Sequence, residues 1–182
     1  ASTLLASQDG INWSIPSGFS DRNTIYSKLV HNGKRILALG TKSGSNLAVI
    51  INSTDGINWF NSETASFSIV ANSAAWGGAV WIAVGESETD PTIKSIMRSK
   101  NGSRWTTSIT GSALKIGKDI LWNSKNKCWL ACGIADDNYS SNLQKYANNT
   151  ILRSTDGFIW TQVTNNPCLT ATNTLIWQEP FF

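Results

Sequence analysis

The stretch STDGINW, residues 53–59, sets a small hydroxyl residue and a tryptophan on either side of an Asp-Gly turn. Near copies stand at residues 7–13 (SQDGINW), 99–105 (SKNGSRW) and 154–160 (STDGFIW). Asp9, Asp55 and Asn101 are spaced 46 residues apart, and Asp156 follows after 55. A fixed period of this size is the signature of a repeat architecture, and it organises every other reading of the chain.

Three further landmarks recur with the boxes. The apolar runs RILALG, VWIAVG and CWLACG close on Gly40, Gly85 and Gly133, and each reads as the second strand of its unit. Just before the boxes come LAVIIN, IKSIMR and NTILR, with TLLA at the start, which read as third strands buried on both faces. Val30, Trp76, Trp122 and Trp177 each follow a box tryptophan by 17 residues and mark the first strands. Asp-Gly, or Asn-Gly in the third copy, supplies the positive φ values of a tight type I′ hairpin between strands three and four.

No segment has helical periodicity. Four short strands per repeat of 46 residues imply an all-β protein, a β-propeller of four-stranded antiparallel blades. The repeats are 28–73, 74–119 and 120–173, with partial units at 1–27 and 174–182. The start at a third strand and the end at an incipient second strand further imply a segment of a larger propeller. All nine tryptophans fall at repeat positions, so they read as core between units, with Trp13, Trp59, Trp105 and Trp160 equivalent and largely buried.

Composition narrows the function classes. Charged residues are 15% of the chain, against about 25% in an average domain, and Ser, Thr and Asn fill the polar positions. The net charge of +3 comes from scattered Lys and Arg rather than a basic stripe, which argues against nucleic acid. No apolar run reaches the roughly 20 residues of a membrane-spanning helix. Cys128 and Cys132, four apart on one strand, are too far separated to pair. With Cys168 they read as ordinary buried or half-buried thiols. A single histidine, His31, leaves no zinc set, and nothing in the sequence asks for a cofactor or metal.

The four boxes resemble the Asp-box family, also called the bacterial neuraminidase repeat, with its pattern Ser-x-Asp-x-Gly-x-Thr-Trp. Here glycine follows the Asp directly, the Thr place is held by Asn12, Asn58, Arg104 and Ile159, and the third copy has Asn101. The resemblance implies a structural role for Ser7, Asp9, Gly10 and Trp13; Ser53, Asp55, Gly56 and Trp59; Ser99, Asn101, Gly102 and Trp105; and Ser154, Asp156, Gly157 and Trp160. In such boxes the Ser and Asp side chains tie down the turn. The longer unit at 74–105, AAWGGAVWIAVGESETDPTIKSIMRSKNGSRW, is similar to propeller repeats in structural and surface proteins of large DNA viruses. That similarity implies a virion or extracellular setting, with other virion proteins among the partners.

Asp boxes occur in sialidases and other glycosidases as well as in proteins without catalysis, so the motif implies a fold and not a reaction. A sialidase would carry an arginine triad, a tyrosine nucleophile with its glutamate, and an Arg-Ile-Pro signature, and none of these is evident. Arg98 and Arg153, just before box serines, read as rim residues. A glucan-cleaving enzyme could draw its two carboxylates from Glu86, Glu88, Asp90, Asp136 and Asp137, in loops after second strands. The leading expectation is a non-catalytic scaffold presenting loops to protein or glycan partners, with a propeller glycoside hydrolase as the alternative. The insertion at 136–149 is the most distinctive loop, with Asp136, Asp137, Tyr139 and Tyr146 as candidate contact residues. Of the sequons at Asn12, Asn52, Asn101, Asn138 and Asn148, only the last two, in that loop, read as glycan acceptors.

Overall fold

A computed structural model describes residues 4–45, 47–63, 67–87, 95–107, 110–111, 114–135, 150–163, 165–168 and 170–178. Every regular element among them is a β-strand, and one of the two sheets curls into a half-barrel. The first sheet is the antiparallel meander β1 (Thr24–His31), β2 (Ile36–Lys42), β3 (Leu47–Ser53) and β4 (Phe60–Asn61). The second sheet contains two meanders of the same order. One is β5 (Val70–Trp76), β6 (Trp81–Glu86), β7 (Ile96–Ser99) and β8 (Thr106–Thr107). The other is β10 (Leu114–Asn123), β11 (Cys128–Ala135), β12 (Ile151–Ser154) and β13 (Ile159–Gln162). A single residue pair, Ile116 with Glu86, joins them, and the short β9 (Thr110–Gly111) runs parallel to β13.

Strand pairing corrects three sequence expectations. First strands open at Thr24, Val70 and Leu114, so boundaries at 28, 74 and 120 cut through β1, β5 and β10. The overlooked residues, TIYS, VANS and LKIGKD, mix apolar and polar types in runs too short to show a period. Trp76 pairs with Trp81 and Trp122 with Trp129, but it is His31, not Val30, that pairs with Ile36 in that place. Finally, β3 is not buried throughout, since Leu47 at its outer end is exposed.

Each first strand carries a bulge, between Tyr26 and Lys28, Ala71 and Ser73, and Gly117 and Asp119. The bulge presses the first strand onto the end of the second. A β-carbon on Gly40, Gly85 or Gly133 would lie within 2.1, 2.2 or 1.9 Å of the carbonyl oxygen of Ile25, Val70 or Ile116. Glycine therefore closes each second strand because no side chain fits there.

The core lies between units rather than within them. Leu37, Leu39 and Ile50 of the first unit pack on Ala71, Trp81, Ala83, Met97 and Trp105 of the second. Ile82, Val84 and Ile96 of the second pack on Trp129, Ala131, Leu152 and Trp160 of the third. Leu4 and Phe19 cover the first unit from the other side, on Ala38, Ile51 and Trp59. The alternation of a strand thus splits cleanly: one face serves the preceding unit and the other serves the next. Each buried indole removes roughly 150–250 Å² from water, and the ring pairs Trp76–Trp81 and Trp122–Trp129, with centroids 5.2 and 4.9 Å apart, repeat in adjacent units.

Candidate functional site

The four boxes share one hydrogen-bond pattern. Ser53 Oγ accepts from Gly56 N at 2.9 Å and donates to Asp55 Oδ1 at 3.0 Å. The same Asp55 oxygen accepts from the backbone N–H groups of Ile57 and Asn58, both at 2.8 Å, and Oδ2 accepts from Asn58 Nδ2 at 2.8 Å. Ser7 and Asp9 repeat this with Gly10, Ile11 and Asn12. Ser154 and Asp156 repeat it with Gly157, Phe158 and Ile159. The polar side chains thereby satisfy backbone donors that a wide turn would otherwise leave to water.

The turn is not the tight type I′ hairpin expected. Asn52 pairs with Phe60 and Arg98 with Thr106, so seven residues intervene. Only the glycines take positive φ, 73° at Gly10, 74° at Gly56, 73° at Gly102 and 71° at Gly157. A type I′ turn needs positive φ at both central residues. Here the residue before the glycine, Asp or Asn101, is not at positive φ.

Asn101 does the same work with a neutral oxygen. Its Oδ1 accepts from Ser103 N at 3.0 Å and Arg104 N at 2.9 Å, and Ser99 Oγ donates to it. The difference is electrostatic. The backbone N–H and side-chain amide of Asn12 hold the Asp9 carboxyl far below the usual range, as the amide and N–H of Asn58 do for Asp55. At Asp156 the N–H groups of Ile159 and Phe158 act in the same direction. These carboxylates stay ionised and occupied, which suits them to holding a turn and not to shuttling protons.

The box tryptophans are not uniformly buried. Trp13 is 59% exposed and Trp59 half-buried, whereas Trp105 is 3% and Trp160 1% exposed. Trp13 Nε1 and Trp59 Nε1 donate to the carbonyl of their own box glycine, at 3.2 and 3.1 Å. Trp105 Nε1 reaches Ser62 Oγ of the preceding unit at 3.3 Å. Trp160 Nε1 is buried without a partner among the described residues, and the matching Ser108 lies outside them.

Two contacts with the preceding unit explain the gradient. A β-carbon on Gly102 would lie 2.9 Å from Leu37 Cδ2, and one on Gly157 would lie 2.6 Å from Ile82 Cδ1. Leu37 and Ile82 are fully buried and occupy one register, opposite Val30 and Ala75. The last three boxes also take the chain leaving the preceding unit, as Gly18 bridges to Asn58, Glu63 N donates to Ser103 O, and Thr110 pairs with Ile159. Glu63 further bonds Arg104, an exposed ion pair of small worth.

The remaining expected site residues are dispersed. Asp136, Asp137, Tyr139 and Tyr146, with Asn138 and Asn148, lie outside the described residues, as do Glu88 and Asp90; Glu86 ends β6. The amides of Asn12, Asn52 and Asn101 are engaged, Asn52 by Arg35 and the Phe60 carbonyl. Arg153 is exposed, and Arg98 is half-buried with Nε lacking a hydrogen-bond partner among the described residues. Cys128 and Cys132 are buried and unbridged, with burial and then Asp119 pushing the Cys132 thiol up to about 12, but Cys168 is exposed, contrary to expectation. Among the described residues no three His, Cys, Asp or Glu side chains could hold a metal, and no helix is long and apolar enough to cross a membrane.

One residue escaped the sequence reading. Asp119, at the bulge of β10, accepts from Ser73 Oγ at 2.8 Å through Oδ1, and from Thr174 Oγ1 and Leu175 N at 3.1 Å through Oδ2. Ser73, Asp119 and Thr174 are separated by 46 and 55 residues, the same intervals as the boxes, so the period itself was the signal. Against known proteins, no family model matches the chain and no curated protein matches it.

Proposed function

We propose that the three meanders are blades of a β-propeller and that the chain is a non-catalytic scaffold presenting its loops to protein or glycan partners. The observation that carries this reading is the state of the box carboxylates. Asp9, Asp55 and Asp156 are consumed in holding their own turns, and these repeated acids are therefore architectural. Three units of one strand order, related by the same glycine-to-aliphatic contact, support the blade reading. The loop at 136–149, with Asp136, Asp137, Tyr139 and Tyr146, is the proposed contact surface, since loops that outgrow a repeat carry function more often than packing. Similarity of the 74–105 unit to viral propeller repeats supports a setting on a virion or outside the cell, with other virion proteins as partners.

The test is a glycan array and a pull-down against candidate structural proteins, run beside hydrolysis assays on sialosides and β-glucans. The expected outcome is binding that deletion of 136–149 removes, with no turnover. Release of sugar from either substrate overturns the reading in favour of a glycoside hydrolase.

A further inference from the structure

The sequence holds five pairs in which Asn or Asp precedes glycine: Asp9-Gly10, Asn32-Gly33, Asp55-Gly56, Asn101-Gly102 and Asp156-Gly157. Such pairs are chemically weak points, because a glycine nitrogen, with no β-carbon in its way, can attack the side-chain carbonyl of the residue before it. Four of the five are the boxes. In each of these the glycine N–H donates to the box serine, at 2.8 Å for Gly10, 2.9 Å for Gly56, 2.8 Å for Gly102 and 2.9 Å for Gly157. Asn32-Gly33 has Val30 where the boxes have serine, and among the described residues Gly33 N has no hydrogen-bond partner.

The two Asn-Gly pairs are otherwise alike. Asn32 Oδ1 accepts from Lys34 N at 3.0 Å and Arg35 N at 2.8 Å, as Asn101 Oδ1 does from Ser103 N at 3.0 Å and Arg104 N at 2.9 Å. Gly33 and Gly102 both take positive φ, 84° and 73°. Their surroundings differ. Gly33 is exposed in the turn between β1 and β2, and a β-carbon on it would meet none of the described residues within 4 Å. Gly102 is buried, and a β-carbon on it would lie 2.9 Å from Leu37 Cδ2 and 3.1 Å from Arg35 Cδ.

We propose that Asn32 is a site of spontaneous deamidation, and that the box serine protects Asn101 from the same reaction. Hydroxide takes the proton of the Gly33 N–H, and that nitrogen forms a bond to Asn32 Cγ. The negative charge that develops falls on Oδ1, to which the Lys34 and Arg35 N–H groups already donate. The Cγ–Nδ2 bond then breaks, and the side-chain nitrogen takes a proton from water and leaves as ammonia, which returns the hydroxide and leaves a cyclic imide. Water adds at one of the two imide carbonyls: cleavage of the new Cγ–N bond gives aspartate, and cleavage of the original peptide bond gives isoaspartate. Each event consumes one water, releases one ammonia and lowers the formal net charge of +3 by one. At Asn101 the donors to Oδ1 are equally in place, but the Gly102 nitrogen must give up its bond to Ser99 Oγ inside a buried turn. Leu37 and Arg35 also stand against the rotation that ring closure requires. The inference rests on the two turns alone and is independent of the scaffold reading.

The test follows both asparagines in one sample. The 182-residue protein is held at mildly alkaline pH, and peptide mapping by mass spectrometry, with aspartate and isoaspartate forms separated, reads residues 29–34 and 99–104 over time. Asn32 is expected to convert at least about tenfold faster than Asn101, the ratio that follows when one buried donor must lose its acceptor. In urea, where both pairs lie in an open chain, the two rates should become similar. Ser99→Ala, with circular dichroism confirming the fold, should speed conversion of Asn101 by about the same factor. Equal rates in the folded protein, no conversion of Asn32, or a gap that persists unchanged in urea overturns the proposal. So does a folded Ser99→Ala protein in which Asn101 stays as slow as before. Should that variant fail to fold, the folded and urea rates of the unaltered chain decide by themselves.

Discussion

The first two boxes and the last two share Ser, Gly and Trp at the same places and the same Ser-to-glycine and Asp- or Asn-to-backbone hydrogen bonds, yet they sit in different surroundings. At Gly102 and Gly157 a side chain of the preceding unit closes over the turn, and the adjoining Trp105 and Trp160 are buried. Among the described residues, nothing lies within 4 Å of a β-carbon on Gly10 and only a residue of its own unit near one on Gly56, and Trp13 is open to solvent. The hydrogen-bonded turn is thus a local object that forms wherever its seven residues occur. Burial of its tryptophan is a property of the neighbour.

The comparison can be broken most easily at the tryptophans. Trp160→Ala should cost about 3–5 kcal/mol, the range for truncating a buried aromatic, whereas Trp13→Ala should cost well under about 1 kcal/mol. Urea denaturation of the two variants checks this, and equal losses would mean that the neighbour contributes little. The glycines come next. Alanine at Gly56 or Gly157 must adopt the left-handed backbone, at about 1–2 kcal/mol, but Gly157→Ala must also displace Ile82, for about 1–3 kcal/mol more. A gap between the two melting curves in that direction is expected.

Smaller effects sharpen the picture. Ser154 is buried and Ser7 is not, so Ser154→Ala, which leaves the Gly157 N–H without its acceptor, should cost about 1–3 kcal/mol and Ser7→Ala less, by the same denaturation assay. The smallest effect is in pH. Asp9, Asp55 and Asp156 have depressed folded-state values, so their contribution is full above the unfolded carboxyl value of about 4 and is lost as pH falls below it. The Asn101 box has no such dependence. Asn101→Asp should therefore steepen the acid limb of a stability-against-pH curve and Asp55→Asn should flatten it.

The parts of the fold legible in the sequence are those written in local chemistry. Second strands announced themselves by apolar runs ending in glycine, and the structure gives the reason in the carbonyl that crowds Gly40, Gly85 and Gly133. The boxes were legible because Ser, Asp and Gly at fixed spacing have a mechanism. First strands were read short because the apolar tryptophan landmarks mark only their far ends, and His31 was missed in favour of Val30 because the chain from Trp13 to the end of β1 is one residue longer than from Trp59 to Trp76. Asp119 was missed for a different reason: its partners, Ser73 and Thr174, are unlike it in type, and a search for repeated letters passes over a repeated position. Exposure of Trp13 could not be read at all, since nothing in SQDGINW says what packs on it.

The contact between a box glycine and the aliphatic residue of the unit before it has a direction along the chain. Leu37 precedes Gly102 and Ile82 precedes Gly157, and Gly18 likewise precedes Asn58. During synthesis the seat is therefore already made when the turn that needs it leaves the ribosome. At about 5–20 residues per second a repeat of 46 residues emerges in roughly 2–9 s, which sets the interval between one box and the next. Growth from the amino end keeps the newest tryptophan beside a finished surface, so the chain can build outward one unit at a time without holding several indoles in water together.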